Sequence, residues 1–360
     1  MMKVILIGDK KSKRTEYFTK AAEQSGVFVS VVQLEDFLSY NHTVGNVANI
    51  SDIEYFENSN IILQEIKQEQ KLQHTWIKVD PCTYESSNIE KMNECLQHYQ
   101  TLLSNLPKSP SYHYLNHPTA ILELLDKRKC KEKLMKYQLP VTSLLADKIQ
   151  TIEQLHDLMK QTKCSSVFIK PVFGSGAAGI AAYRWNWNRN QGILYTSCKK
   201  TNGIFLNTKK MHKIIDKAEI EETLNMLFTL DVIVEKWIPK AQYHGKSYDL
   251  RVVYQFGRID YIVARQADGP VTNLHLNNQA LDYQCLNLSE RTMSEIEKIC
   301  RQAMELFPEL SYAGIDILLD KKEEKPYIIE MNGQGDCVYQ DMYGENCIYQ
   351  TQINKMRNSY

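Results

Sequence analysis

The sequence predicts an α/β N-terminal lobe followed by a larger α+β region, on three observations. The chain opens as strand, loop, helix and strand within about thirty residues, a βαβ-like start. Beyond residue 115 its apolar runs recur with turn residues between them, which favours antiparallel strands with helices to one side. At 360 residues the chain also exceeds what one ordinary core fills. The expected domains are 1–115 and 116–360, with a smaller subdomain at about 140–235 inside the second.

The elements follow in order. Lys3–Gly8 reads as a strand, Thr15–Ser25 as an amphipathic helix and Val27–Val32 as the second strand. The next stretch is less legible. It suggests a helix near Asn60–Lys71, a strand Thr75–Val79 stopped by Asp80-Pro81, and a helix near Ile89–Leu103. Leu106-Pro107-Lys108-Ser109-Pro110 marks a boundary. Thr119–Tyr137 reads as one basic helix, and Thr151–Gln161 as another with Thr151 as its N-cap. Strands at Ser166–Lys170, Ile180–Trp185 and Gly192–Cys198 precede a helix at Ile220–Phe228 and a strand at Asp231–Trp237. Asp249–Phe256 and Arg258–Arg265 form a hairpin about Gly257. A helix at Ser294–Leu306 leads to strands Gly314–Leu319 and Pro326–Met331.

Composition removes several function classes. A 43% hydrophobic, 24% charged chain is a folded protein and not a disordered one. Lys plus Arg equals Asp plus Glu at 43 each, so the basic excess of a nucleic-acid or anionic-membrane binder is missing. No stretch suits a signal peptide or a membrane span. The nine cysteines are scattered and never spaced C-x-x-C, as expected of reduced thiols in a cytoplasmic protein.

Gly174-Ser175-Gly176-Ala177-Ala178-Gly179 matches the dinucleotide-binding pattern G-x-G-x-x-G. That mechanism needs a helix directly after the glycines and an acidic residue about twenty positions on. Ile180–Trp185 alternates like a strand instead, and Leu158–Ile215 holds ten basic residues and no acidic one. The dinucleotide reading therefore fails. A glycine-rich hairpin offering backbone N–H groups to phosphates fits the same residues, with Lys170 entering it. A plain surface hairpin is the alternative.

The other polar features come in a definite order. Asp126-Lys127 lies in the basic helix, Lys170 follows 43 residues later, and Glu235-Lys236-Trp237-Ile238 ends an apolar strand 65 residues beyond that. Asp249-Leu250-Arg251 leads into the hairpin, which ends at Arg265, with Asn273-Leu274-His275 beyond. Asp316 sits between Ile315 and Ile317, where a buried carboxylate must be paired or metal-bound. Glu330 and Asn332 are two apart on one strand and so share a face. Taken singly, Lys127 could be a solvated helix residue and Arg251 and Arg265 structural ion-pair members.

This ordered set, over roughly residues 116–340, resembles the ATP-grasp superfamily. Within it the chain is similar to the RimK-like carboxylate–amine ligases, near the ribosomal-protein glutamate ligases and graspetide synthetases. The resemblance implies an α+β ATP-grasp fold whose two subdomains grip the nucleotide. It implies phosphate contacts from Lys127, Lys170, Ser175 and Gly176, and adenine contacts along Glu235, Lys236 and Ile238. Asp249 would meet the ribose, with Asn273 in the neighbouring nucleotide-side motif. Arg251, Arg265 and Lys170 would face the transferred phosphoryl group. Asp316, Glu330 and Asn332 would hold two Mg²⁺ ions, for which Mn²⁺ can substitute, while His275 would orient or pack rather than act as a base.

The implied reaction is an ATP-dependent ligation through an acyl phosphate, joining a carboxylate to an amine or hydroxyl and releasing ADP and phosphate. Hard oxygen donors for Mg²⁺ and several cations around a γ-phosphate are what phosphoryl transfer needs. The substrate would be an amino acid, a peptide or a small carboxylic acid. A phosphotransferase and a non-catalytic nucleotide-binding regulator remain as alternatives. A homo-oligomer is compatible with the sequence, which does not specify one. One departure stands out: Asn277-Asn278 replaces a Gly-Gly element of the RimK-like pattern, on the acceptor side of the pocket. Charge is also unevenly spread, since Ala313–Glu345 carries eight acidic and three basic residues opposite the basic 158–215 stretch.

Overall fold

The computed structural model describes residues 2–33, 75–81, 88–106, 113–174, 176–321, 325–335 and 346–359. The helix expected at Asn60–Lys71, nearly all of the boundary at 106–110 and the loop residue Ser175 lie outside these residues. The opening βαβ unit forms as expected. β1 (Lys3–Gly8) and β2 (Phe28–Gln33) run parallel, joined by α1 (Lys13–Gln24), whose N-cap Ser12 accepts from the Thr15 N–H. β3 (Thr75–Val79), α2 (Met92–Asn105) and β4 (His113–Tyr114) follow, giving a parallel sheet in the order β2-β1-β3-β4. Val4 and Leu6 pack with Phe18, Ala21 and Ala22, while Ile5 and Ile7 pack with Tyr99, Leu102 and Leu103. A 3₁₀ turn at Ile89–Lys91 tightens the start of α2.

The single basic helix expected at Thr119–Tyr137 is two helices, α3 (Pro118–Leu125) and α4 (Lys127–Lys136). Asp126 breaks the run because it is extended, at φ −87° and ψ 97°, and its carboxylate accepts from the Lys129 N–H. An Asp N-cap is worth about 1 kcal/mol, enough to favour a restart over continuation. Lys127 thereby becomes the first helical residue, and its backbone N–H donates to the Val172 carbonyl at 3.1 Å.

The second sheet contains β5 (Leu144–Ala146), β6 (Ser166–Pro171), β7 (Ala181–Asn186), β8 (Gln191–Thr201), β9 (Ile204–Ile214) and β10 (Val232–Lys236). Its order is β5-β10-β6-β7-β8-β9, antiparallel throughout. β9 escaped the sequence reading because Asn207–Lys210 interrupts its apolar alternation. Val167, Ile169, Val232 and Val234 share a core with α5 (Ile152–Gln161) and α6 (Lys217–Phe228). The opposite face carries Phe168, Lys170 and Glu235.

The third sheet comprises β11 (Gln242–Tyr243), β12 (Lys246–Gln255), β13 (Arg258–Ala267), β14 (Gln279–Asp282), β15 (Tyr312–Leu319) and β16 (Pro326–Asn332). It is ordered β14-β13-β12-β15-β16, with β11 paired to β12. Leu250, Val252, Ile315 and Ile317 pack with Ile296, Ile299 and Ala303 of α7 (Glu290–Glu305). The C-terminal helix α8 (Cys347–Asn358), which no sequence signal announced, crosses back to α1, with Tyr349 edge-on to Phe18 at 5.6 Å. Among the described residues no helix is long and apolar enough to cross a membrane.

Candidate active site

A cavity of about 660 Å³ is lined by residues of the second and third sheets, by helices and turns of the N-terminal lobe and by the connections beside them. Every described residue of the expected set lines it: Lys127, Lys170, Gly176, Glu235, Lys236, Ile238, Asp249, Arg251, Arg265, Asn273, Asp316, Glu330 and Asn332. Nine Lys and Arg residues line it against four Asp and Glu residues, so the cavity suits an anion with several charges.

Strand register assembles the chemistry. Arg265 on β13 lies opposite Asp249 on β12, Arg251 on β12 lies opposite Asp316 on β15, and Asp316 lies opposite Glu330 on β16. Directly opposed residues point to one face, as do residues two apart, so all five side chains and Asn332 face the cavity. Arg265 Nε donates to Asp249 Oδ1 at 2.8 Å and its Nη2 lies 3.1 Å from Asp316 Oδ2. Arg251 Nε sits 2.8 Å from Asp316 Oδ1. Gly314 makes room for this arrangement, because a Cβ there would overlap Arg251 Nη1.

Lys240 Nζ donates to Asp249 Oδ2 at 2.9 Å and to Thr272 Oγ1 at 2.6 Å, and the Thr272 hydroxyl donates to the same carboxylate oxygen. The ribose contact expected of Asp249 thus meets a carboxylate already engaged by Arg265, Lys240 and Thr272. Burial alone would raise the Asp249 carboxyl, yet Arg265 and Lys240 hold it far below the ordinary range. The Asp316 carboxyl goes the other way. Burial, with Asp249 and Glu330 nearby, pushes it up against the pull of Arg251 and Arg265. Glu330 is kept below its ordinary value, against burial, by Lys127, Lys170 and Arg251 and by a hydrogen bond with Asn332.

On the second sheet, Lys170 Nζ donates to Glu235 Oε2 at 2.8 Å. Sequence reasoning missed the partner on the other side: Lys131 Nζ lies 2.7 Å from Glu235 Oε1 and donates to the Thr142 carbonyl at 3.0 Å. The Thr142 hydroxyl donates to Glu235 Oε2 at 2.8 Å. Burial would raise the Glu235 carboxyl, but Lys131 and Lys170 together bring it down to about 2. Lys131 looked like any other lysine of a basic helix, and Lys240 carried no spacing signal. Glu235 lies 104 residues from Lys131, and Asp249 reaches Lys240 only through the fold of the loop before β12.

The glycine segment is a loop between β6 and β7 and no helix follows it, as its context required. Gly176, Ala177 and Gly179 have φ values of +63°, +65° and +69°. A Cβ at Gly179 would come 2.7 Å from Pro171 Cγ, so glycine is needed there for space as well as for φ. Thr196 and Ser197 of β8 fix the loop by donating to the Ile180 and Ala177 carbonyls, and Lys127 Nζ donates to the Gly174 carbonyl at 2.5 Å. Gly176 abuts His275, which sits in a 3₁₀ turn capped by Asn273, so His275 packs on the loop. Asn278, at the departure from the expected Gly-Gly element, donates to the carbonyls of Val271 and Asn273 and braces that turn.

The donor set can be tested against a divalent ion. Among the described residues there is no group of three or more His, Cys, Asp or Glu placed to hold a metal. Asp316, though paired with Arg251 and Arg265, shares a face with Glu330 and the Asn332 amide, and together they offer hard oxygen donors. Mg²⁺ bound with substrate phosphates needs only one or two carboxylates, so these residues fit it.

A sequence model of the family described as YheC/D-like ATP-grasp matches residues 117–357. No curated protein matches the chain. Among solved structures it resembles the D-cycloserine synthetase DcsG at TM-score 0.59 and 12% identity, over 98% of this chain and 99% of that one. A Chryseobacterium gregarium RiPP-associated ATP-grasp ligase, solved with ADP and a leader and core peptide, gives TM-score 0.59 at 12% identity, over 100% and 98%. The ATP-grasp ligase PsnB, complexed with minimal precursor, Mg and ADP, gives 0.53 at 12%, over 98% of each.

Proposed function

This chain belongs to the YheC/D-like ATP-grasp family, and we propose that it is an ATP-dependent ligase that activates a carboxylate as an acyl phosphate. The observation that carries this reading is the single row Arg265, Asp249, Arg251, Asp316, Glu330 on one sheet face, opposite Lys127, Lys170 and the glycine loop. Cations and hard oxygen donors surround one point, and no nucleophilic side chain of the chain is needed if the intermediate is carried on the substrate.

In this reading Lys127, Lys170 and the backbone of the 174–179 loop hold the phosphates of ATP. Phe168, Ile180 and the Lys236–Ile238 segment border the base. Asp316, Glu330 and Asn332 would hold Mg²⁺, which supplies charge neutralisation when bound. Arg251 and Arg265 face the transferred group, and Asp249 positions Arg265 and Lys240 rather than reaching the ribose. A carboxylate oxygen attacks the γ-phosphorus, forming the acyl C–O–P linkage and breaking the bond to ADP. An amine or hydroxyl then attacks the acyl carbon, loses its proton and expels inorganic phosphate. The peptide complexes of the structural neighbours make a peptide carboxylate the leading candidate.

The test is ADP release with carboxylate donors in hydroxylamine, which traps an acyl phosphate as a hydroxamate. A hydroxamate supports the ligase. A stable phosphorylated product would favour a phosphotransferase, and tight ATP binding without turnover would favour a regulator. Glu330→Gln should cut turnover at least about 100-fold while nucleotide binding persists.

A further inference from the structure

Asn277 and Asn278, which replace the expected Gly-Gly element, end a turn that touches two of the sheets around the cavity. The 3₁₀ turn Leu274–Leu276 lies between β13 and β14. Asn273 caps its start by accepting from the His275 N–H, and Asn278 closes it from within through the Val271 and Asn273 carbonyls. Asn277 ends it in the left-handed region, at φ +56° and ψ 29°. Glycine and asparagine take that conformation most readily. The Asn278 amide bonds inside the turn, whereas the Asn277 amide reaches out of it. Asn277 Nδ2 donates to the Lys209 carbonyl of β9 at 3.2 Å. A glycine at 277 would keep the backbone shape and lose that bond.

The turn is anchored to the third sheet. Thr272 is buried, donates to the Asp249 carboxylate and accepts from Lys240 at 2.6 Å, and Asp249 in turn holds Arg265. The same turn rests on the second sheet. Val271 and Leu276 form an apolar cluster with Phe168 and Ala182, flanked by Ala177, Ile180 and Trp237. A Cβ at Gly176 would come 3.6 Å from His275 Cδ2, so the glycine loop lies against the turn. Lys209 belongs to this assembly through its neighbour. The Thr208 hydroxyl donates to the Ser197 carbonyl at 2.9 Å, and the Ser197 hydroxyl donates to the Ala177 carbonyl at 2.9 Å. The Asn277 bond therefore closes a ring that runs from the third sheet through the turn to β9, β8 and the glycine loop.

We propose that this turn is a clasp over the nucleotide and that Asn277 is its positioning residue, holding β9 and the glycine loop against the sheet that carries Arg265. Lys209 lines the cavity and Asn277 does not, so Asn277 acts through the Lys209 backbone. A nucleotide under the loop leaves when the second sheet moves away from the turn. The bond therefore slows release and leaves encounter alone. One hydrogen bond of this kind corresponds to about a three- to tenfold change in rate. The inference rests on the reading that the 174–179 loop holds the phosphates of ATP, and not on the identity of the carboxylate or its acceptor.

The experiment uses the full chain with Mg²⁺ and mant-ADP, a fluorescent ADP, displaced by excess ADP in stopped flow. Asn277→Gly keeps the left-handed backbone, and Asn277→Asp keeps the size while removing the donor. Each should release mant-ADP about three- to tenfold faster, with association within about twofold of wild type. Without nucleotide, each variant should melt within about 2 °C of wild type, which loss of a residue that only braces the fold would not allow. Asn277→Gly combined with Ser197→Ala should speed release by less than the product of the two single effects, because both free the same loop. Release at the wild-type rate in both Asn277 variants overturns the clasp, as does a fully multiplicative effect of the pair. Hydroxamate formation and ADP calorimetry separate this inference from the ligase reading. Faster release in the variants with no hydroxamate from any carboxylate sinks the ligase alone, and unchanged release beside hydroxamate formation sinks the clasp alone. A wild type that binds no ADP overturns the nucleotide reading and the clasp together.

Discussion

Replacing Lys131 with Met should cost the protein about 2–3 kcal/mol at pH 7, although Lys131 does not line the cavity. Its ammonium is 4% exposed and lies 2.7 Å from a Glu235 carboxylate that is 2% exposed. Holding Glu235 at about 2 rather than 4.5 corresponds to about 3 kcal/mol of stability. Lys170 keeps the other carboxylate oxygen in the variant, so roughly half of that is lost. The hydrogen bond to the buried Thr142 carbonyl adds about 1 kcal/mol. The sign with pH follows from the depressed carboxyl. Its contribution is complete above about pH 5, where an unfolded glutamate is ionised, and disappears as pH falls toward 2. Urea titration followed by tryptophan fluorescence reads the effect where it falls, because Trp185, Trp187 and Trp237 lie in or beside the second sheet. The gap between wild type and Lys131→Met should shrink by about 0.5–1 kcal/mol between pH 7 and pH 3, because only the Glu235 part depends on pH. A gap under about 0.5 kcal/mol at pH 7, or one that does not change with pH, would refute the reasoning.

Three further outcomes are expected. Asp126→Ala removes the cap that restarts the helix at Lys127. It should cost about 1 kcal/mol in urea titration and raise the Kd for ADP severalfold by calorimetry. Lys127→Met deletes a cation from the loop and should raise the ATP Kd about 10- to 100-fold with no loss of helix by circular dichroism. Gly314→Ala drives a methyl into Arg251, so it should destabilise by about 1–3 kcal/mol, and Gly314→Ala should reduce hydroxamate formation more than ADP binding.

The sequence was legible wherever local pattern decides structure. Alternation marked β1, β3, β6, β12, β15 and β16, and Thr151 announced its helix because capping involves neighbours alone. The order of Lys127, Lys170, Asp249, Arg251, Arg265, Asp316 and Glu330 pointed to one site, and the fold brings them to one cavity, the last five by strand register. The two helices read as one show where local pattern misleads. Asp126 reads as an ordinary helix residue until its extended backbone and its bond to Lys129 are seen. Strand β9 was hidden for a related reason, since Asn207–Lys210 is polar where the strand turns toward the cavity.

By itself the sequence determined which residues could form strands and helices, and which polar groups lay at strand ends in an order suited to phosphoryl chemistry. Only the tertiary structure decided how the charges pair. Lys131 with Glu235, Lys240 with Asp249, and Arg251 with Asp316 are unions of distant segments or of strand and loop, and a buried charge takes whichever partner the fold delivers. Burial removes water from these groups, and the pairing that replaces it is fixed by geometry that no local pattern encodes.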